Sequence, residues 1–144
     1  MSFINDSPFK SISILYRKSH IWLNKECESY GLTAPQALVI LIVCDYKVLS
    51  QEEITRRLSL DKSVIAKTVN KLVQNGFLVR SINKTDKRFY DISPAKKATE
   101  LYTHIRDKIE KCFEKMTREM TENEKMDFKR LLLTAAESSI SQDE

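Results

Sequence analysis

Residues 61–92 read DKSVIAKTVNKLVQNGFLVRSINKTDKRFYDI, and the reading of this stretch decides the fold. Asp61 stands where a helix N-cap stands and Gly76 where a helix stops. Between them Ile65, Val69 and Leu72 recur at helical spacing. The predicted helix runs from Lys62 to Asn75, with those three residues inward and Lys62, Ser63, Ala66, Lys67, Asn70 and Lys71 outward. Two β-prone runs follow, Phe77 to Ile82 and Arg88 to Ile92, separated by Asn83-Lys84-Thr85-Asp86-Lys87. Polar turn formers between such runs predict a β-hairpin, and its tip is basic.

Working upstream, Ser50-Gln51-Glu52-Glu53 has the form of a capping box, with Ser50 as N-cap and Glu53 at the third helical position. It opens a short helix ending near Leu58, and a tight turn leads to Asp61. Two short helices joined by a tight turn, the second basic on its outer face, are the parts of a helix-turn-helix, and the hairpin adds a wing. Chemistry favours the same reading. Lys62, Lys67 and Lys71 reach phosphates or guanine acceptors, Ser63 bonds a base edge or phosphate, and Val64 and Ala66 are small enough to meet a thymine methyl. Asn70 on that face, and Ser50 and Gln51 at the start of the preceding helix, complete the major-groove candidates. Lys84, Lys87 and Arg88 at the hairpin tip suit the narrower minor groove, with Asp86 among them. Charge is concentrated to match. From Asp61 to Tyr90 seven cations face two anions, a local +5 within a chain of net charge +4, so the remainder sums to −1.

The flanks predict long helices, for the 144 residues contain only two glycines and three prolines. A first helix from about Pro8 to Tyr30 carries an apolar stripe at Phe9, Ile12, Tyr16, Leu23, Cys27 and Tyr30, read as a core face. A second set, Ile14, Leu15, Ile21 and Trp22, lies off that stripe, and a partner subunit is its natural cover. Gly31 ends this helix, and Thr33 with Pro35 opens an almost wholly apolar one to about Tyr46. Beyond the hairpin, Ser93-Pro94 reads as the cap of a long helix with a stripe at Ala98, Leu101, Tyr102, Ile105, Ile109, Cys112, Phe113 and Met116. Thr121-Glu122-Asn123-Glu124 is a second capping box, opening a last helix with Met126, Phe128, Leu131, Leu132 and Ala135 inward and a fraying polar tail from Ser138.

Other classes find little support. No apolar run approaches the ~20 residues of a membrane span, and the N-terminus lacks a signal-peptide layout, so a cytoplasmic protein is expected. Cys27, Cys44 and Cys112 are odd in number and widely spaced, which fits buried thiols better than a disulfide or zinc framework. His20 and His104 lack a second metal ligand at helical spacing. No nucleophile elbow, phosphate-cradling glycine loop or His-Glu-x-x-His motif is present, so neither an enzyme nor a cofactor is expected.

Taken in order, these motifs resemble the MarR (multiple antibiotic resistance regulator) family. Leu32-Thr33-Ala34-Pro35-Gln36 looks like the family's Leu-Thr-x-x-Gln opening of its second helix. Asp61 to Ile65 and Leu72 to Gly76 resemble the ends of its recognition helix. Asn83 to Arg88 matches the wing's Asp-x-Arg element, and Ile92-Ser93 stands where Leu-Thr is usual. Lys96 departs from the pattern, occupying a position that is commonly glycine. The resemblance covers about Phe9 to Ala136. It implies one mainly α domain over 1–144 with a small β-wing, the winged helix-turn-helix at 32–93 and a homodimer built from 1–31 and 94–144. It further implies a transcriptional regulator that binds double-stranded DNA at a pseudo-palindromic operator. Arg88 would read the minor groove, and Asp86 would orient either Arg88 or Arg80. Release by a small phenolic or anionic effector is implied as well, with Tyr16, His20, Trp22 and Cys44 as candidate lining residues. Two alternatives stand beside this reading: a winged-helix protein-interaction module without DNA binding, and a cysteine-based redox-responsive regulator.

Overall fold

The computed structural model describes residues 7–142. Six helices and three strands follow in the order α1 (Pro8–Cys27), α2 (Ala34–Tyr46), β1 (Leu49–Ser50), α3 (Gln51–Leu58), α4 (Lys62–Gln74), β2 (Leu78–Ile82), β3 (Tyr90–Pro94), α5 (Lys96–Met116) and α6 (Glu122–Ser141). The chain is mainly helical with a small antiparallel wing, as expected. No single described helix is long and apolar enough to cross a membrane.

The core forms where α2 is enclosed. Ala37, Val39, Ile40 and Val43 of α2 are buried, with Ile54 from α3, Ile65, Val69 and Leu72 from α4, Phe77, Leu78 and Ile92 from the wing, and Ala98 and Ile105 from α5. These residues account for the almost unbroken apolar run of α2, a helix covered on most sides by its own chain. Its start is fixed by a full capping box: Gln36 N donates to Thr33 Oγ1 at 3.4 Å and Thr33 N donates to Gln36 Oε1 at 3.0 Å. Ala34 N also donates to Asn24 Oδ1 of α1 at 2.6 Å, joining the two helices across the turn.

Several boundaries differ from the sequence expectation. Helix α1 ends at Cys27, and Glu28–Tyr30 tightens into a 3-10 turn before Gly31 at φ +71°. Ser93 and Pro94 do not cap α5. They close strand β3, with Pro94 opposite Leu78, and Ala95 is the N-cap without a side-chain bond. Strands β2 and β3 start one and two residues later than expected. Strand β1 was not anticipated; it pairs with Ile92 and Asp91, giving sheet order β1-β3-β2. Asp61 is the N-cap of α4 by position but makes no side-chain cap bond.

The terminal helices also depart from their expected burial. Of the α1 stripe, Leu23 and Cys27 are buried, whereas Phe9, Ile12 and Tyr16 are exposed. Helix α6 buries no residue, and Met126, Leu131 and Leu132 are exposed rather than inward. Phe128 of α6 stacks on Phe113 of α5 with ring centroids 6.1 Å apart, and Lys129 Nζ stands 5.9 Å over the same Phe113 ring. Helix α6 continues past Ser138 to Ser141, and residues 143 and 144 of the expected tail lie outside the described residues. The capping box at Thr121 and Glu124 is present in both directions, at 3.2 Å each.

Candidate nucleic-acid interface

Helix α4 separates its two kinds of residue cleanly. Ile65, Val69 and Leu72 have no exposed surface. Lys62, Ser63, Val64, Lys67, Asn70 and Lys71 are exposed, and Ala66 is half-buried between them. None of the three lysines forms an ion pair with a described residue, so their charges face solvent uncompensated. The helix ends as Gly76 demands: at φ +81° the chain turns left-handed, and Phe77 N donates to Leu72 O at 2.8 Å. The turn before α4 is made without glycine, with Ser59 holding φ +52°.

Helix α3 is set beside the wing. Ser50 Oγ accepts from Glu53 N at 3.1 Å, which supplies one arm of the expected box and commits that hydroxyl to the cap. Gln51 is half-buried, and its Oε1 is enclosed without a hydrogen-bond partner. Ser50, Glu52 and Glu53 share a cleft with Asn83, Asp86 and Phe89 of the wing.

The wing tip is organised by two side chains. Asn83 Oδ1 accepts from Thr85 N at 2.9 Å, Thr85 Oγ1 at 2.7 Å and Asp86 N at 2.9 Å, while Asn83 Nδ2 donates to Asp91 Oδ1 at 2.9 Å. The sequence reading took Asn83 only as a turn former; an asparagine opening a polar turn is the signal for this role. Asp86 then takes Arg88 in a fork, Nε to Oδ1 at 3.0 Å and Nη2 to Oδ2 at 2.8 Å, and also accepts from Arg88 N at 3.1 Å. The Arg88 guanidinium beside it holds the Asp86 carboxyl below the usual carboxylate range. Of the two arginines left open for Asp86, the structure selects Arg88. Its side chain is 82% exposed, so the pair orients the group more than it stabilises the fold. Lys84 and Lys87 are exposed beside it. Arg80 lies elsewhere, donating to Asn70 Oδ1 and standing over the Tyr90 ring at 5.4 Å.

The four candidate effector residues are not brought together within one chain. Tyr16 and His20 form a ring pair 4.3 Å apart, and the His20 Nδ1 lies 3.0 Å from Tyr16 O. Trp22 projects elsewhere, with Lys115 Nζ 5.1 Å over its ring. Cys44 is half-buried against the core. His20 and Trp22 line different cavities. Burial pushes the thiols of Cys27, Cys44 and Cys112 up from their ordinary range, opposite to what a reactive thiolate needs. Among the described residues no group of three or more His, Cys, Asp or Glu side chains is placed to hold a metal.

Comparison with known proteins agrees with this geometry. The sequence model of the MarR family matches residues 30–88, which span the helix-turn-helix and the wing tip. No curated protein sequence matches the chain. Among solved structures, a crystal structure of MarR superposes with a TM-score of 0.88 at 24% identity, covering 99% of this chain and 98% of that one. A MarR transcriptional regulator from Methanosarcina mazei Go1 gives 0.86 at 23%, covering 92% and 96%. A putative MarR family transcriptional regulator from Listeria monocytogenes, complexed with 26mer DNA, gives 0.84 at 21%, covering 99% and 92%. The MarR family model lies on the helix-turn-helix and the wing, and these solved structures share the fold over nearly the whole chain, so the chain has the winged helix fold of the MarR regulators.

Proposed function

We propose that the protein is a homodimeric, sequence-specific DNA-binding transcriptional regulator of the cytoplasm. Residues 32–93 form the reading head, and 1–31 with 94–144 hold two copies together. The observation that carries this reading is the uncompensated row Lys62, Lys67 and Lys71 on the outer face of α4, next to a wing whose Arg88 is already aimed. Each α4 enters a major groove through its N-terminal turn, where Lys62, Ser63 and Val64 lie and the helix dipole favours phosphate. Ala66, Lys67, Asn70 and Lys71 continue the contact, and Lys84, Lys87 and Arg88 address the adjacent minor groove. Ser50 contributes at most its edge, since its hydroxyl already caps α3. The Listeria monocytogenes protein, solved with a 26mer DNA, supports the same use of the shared fold.

The apolar surface left open by Phe9, Ile12, Ile21, Met126 and Leu131 supports the dimer. An obligate interface of this type buries on the order of 2,000 Å² or more. A two-fold axis then sets the recognition helices about one DNA turn, ~34 Å, apart. A small phenolic or anionic effector that loosens this arrangement remains the proposed release signal. A site lined by all four of Tyr16, His20, Trp22 and Cys44 would need more than one subunit. Selection of bound sequences from random duplex DNA tests the proposal: an inverted repeat with half-sites one turn apart is expected, and no enrichment, or an asymmetric site bound by one subunit, would end it.

A further inference from the structure

We infer that Arg80 grips the phosphate strand lying between the grooves entered by α4 and by the wing, with Asn70 as its positioning partner; this rests on the DNA-binding reading above. Alternation along β2 puts Leu78, Arg80 and Ile82 on one face of the sheet. Leu78 is buried in the core, so Arg80 leaves the sheet on the side that packs towards α4. There its Nη2 donates to Asn70 Oδ1, on the outward row of the recognition helix, and its Cζ stands over Tyr90 of β3. One guanidinium thus touches both parts that meet the duplex. A helix in a major groove and a hairpin in the neighbouring minor groove are separated by the single sugar-phosphate strand dividing them, and Arg80 sits at that division.

The charge of Arg80 points the same way. Arg88 is matched by a carboxylate in the free protein, whereas among the described residues Arg80 has no carboxylate within ion-pair distance. Its holders are a neutral amide and the face of a ring, which fix a guanidinium without cancelling it. Its Nε is enclosed, so the terminal nitrogens are the edge of the group left to meet an acceptor from outside. A phosphate supplies both the charge and the acceptors for that edge. Asn70, on the contact row of α4, thereby contributes by holding Arg80.

The alternative is a staple that joins wing to helix and never meets DNA. Salt dependence separates the two, because only a phosphate contact releases counterions. Fluorescence anisotropy of the full chain on its selected duplex, from low to moderate salt, compares wild type with Arg80→Gln, Arg80→Lys and Asn70→Asp. One phosphate lost per subunit makes the slope of log affinity against log salt shallower by about 2 for the dimer in Arg80→Gln. Arg80→Lys keeps the wild-type slope. Asn70→Asp, which retains the tie but neutralises the arginine, also becomes shallower, and it serves if Arg80→Gln fails to fold. Wild-type slope in a folded Arg80→Gln or in Asn70→Asp would overturn the assignment while leaving the regulator reading intact. A wild-type protein that binds no duplex at all would remove both.

Discussion

The winged lobe and the terminal arms treat apolar residues in opposite ways. In the lobe Ile54, Ile65, Val69, Leu72 and Ile92 lose all their accessible surface within one chain. In the arms the N-terminal half of α1 and the whole of α6 bury nothing, and Phe9 and Met126 are 82% and 70% exposed. Both regions have similar helical periodicity in the sequence. The lobe is a finished core, and the arms present faces that only another surface completes.

The contrast breaks most visibly under core truncation. Leu72→Ala should cost about 2–5 kcal/mol of unfolding free energy, measured by denaturant titration, and the loss should not depend on protein concentration. Leu131→Glu should behave in the reverse manner. Sedimentation should show monomers at micromolar concentration while helix content is kept, and a variant that stays dimeric would take α6 out of the interface. Next in size is the reading head itself: Arg88→Ala should weaken operator binding by roughly 1–3 kcal/mol, with unchanged melting because the side chain is exposed. Asp86→Asn should do part of the same damage by freeing Arg88, and gel shifts of the two would show it. Because the Asp86 carboxyl is held below its ordinary range, its hold on Arg88 persists at neutral pH and fades only in acid, as pH falls through that lowered value. The caps give the finest comparison. Ser50→Ala in the lobe and Thr121→Ala in the arm should each cost around 1 kcal/mol, read by denaturant titration at one protein concentration. Smallest is chemical reactivity. Cys27, buried and raised, should alkylate slowly at neutral pH in the native protein and faster only as pH climbs beyond the usual thiol range; rapid labelling at neutral pH would revive the redox alternative.

The sequence made some of this legible and hid the rest for physical reasons. Caps and stops are local, so Thr33, Ser50, Gly76 and Thr121 mark helix ends correctly. Periodicity marks a face that will be covered but not what covers it. Leu131 and Leu132 were therefore read as inward although their own chain leaves them open. Strand β1 is two residues long and exists only through its pairing with Ile92 and Asp91, a relation between distant segments that no local pattern carries. Ser93-Pro94 has the composition of a cap, yet the ladder opposite Leu78 claims it first. At the interface, the outward set on α4 follows from helical geometry alone. The choice of Arg88 over Arg80 for Asp86 needed the wing's actual turn, and the bond of Arg80 to Asn70 joins two elements that no local pattern relates.

The bond from Ala34 N to Asn24 Oδ1 has a mechanical consequence. Asn24 lies near the end of α1 and Ala34 opens α2, so the handle and the head of each subunit are pinned at the elbow, within a few residues of the left-handed Gly31. Leu32 N donating to Cys27 O at 3.2 Å takes up the remaining slack. In the proposed dimer, an elbow fixed in this way would pass a change in how two handles cross on to the heads. A pivot of one handle against its twin would then swing the heads apart or together like calliper tips, so the half-site separation that the pair accepts would gauge the crossing angle far from the duplex.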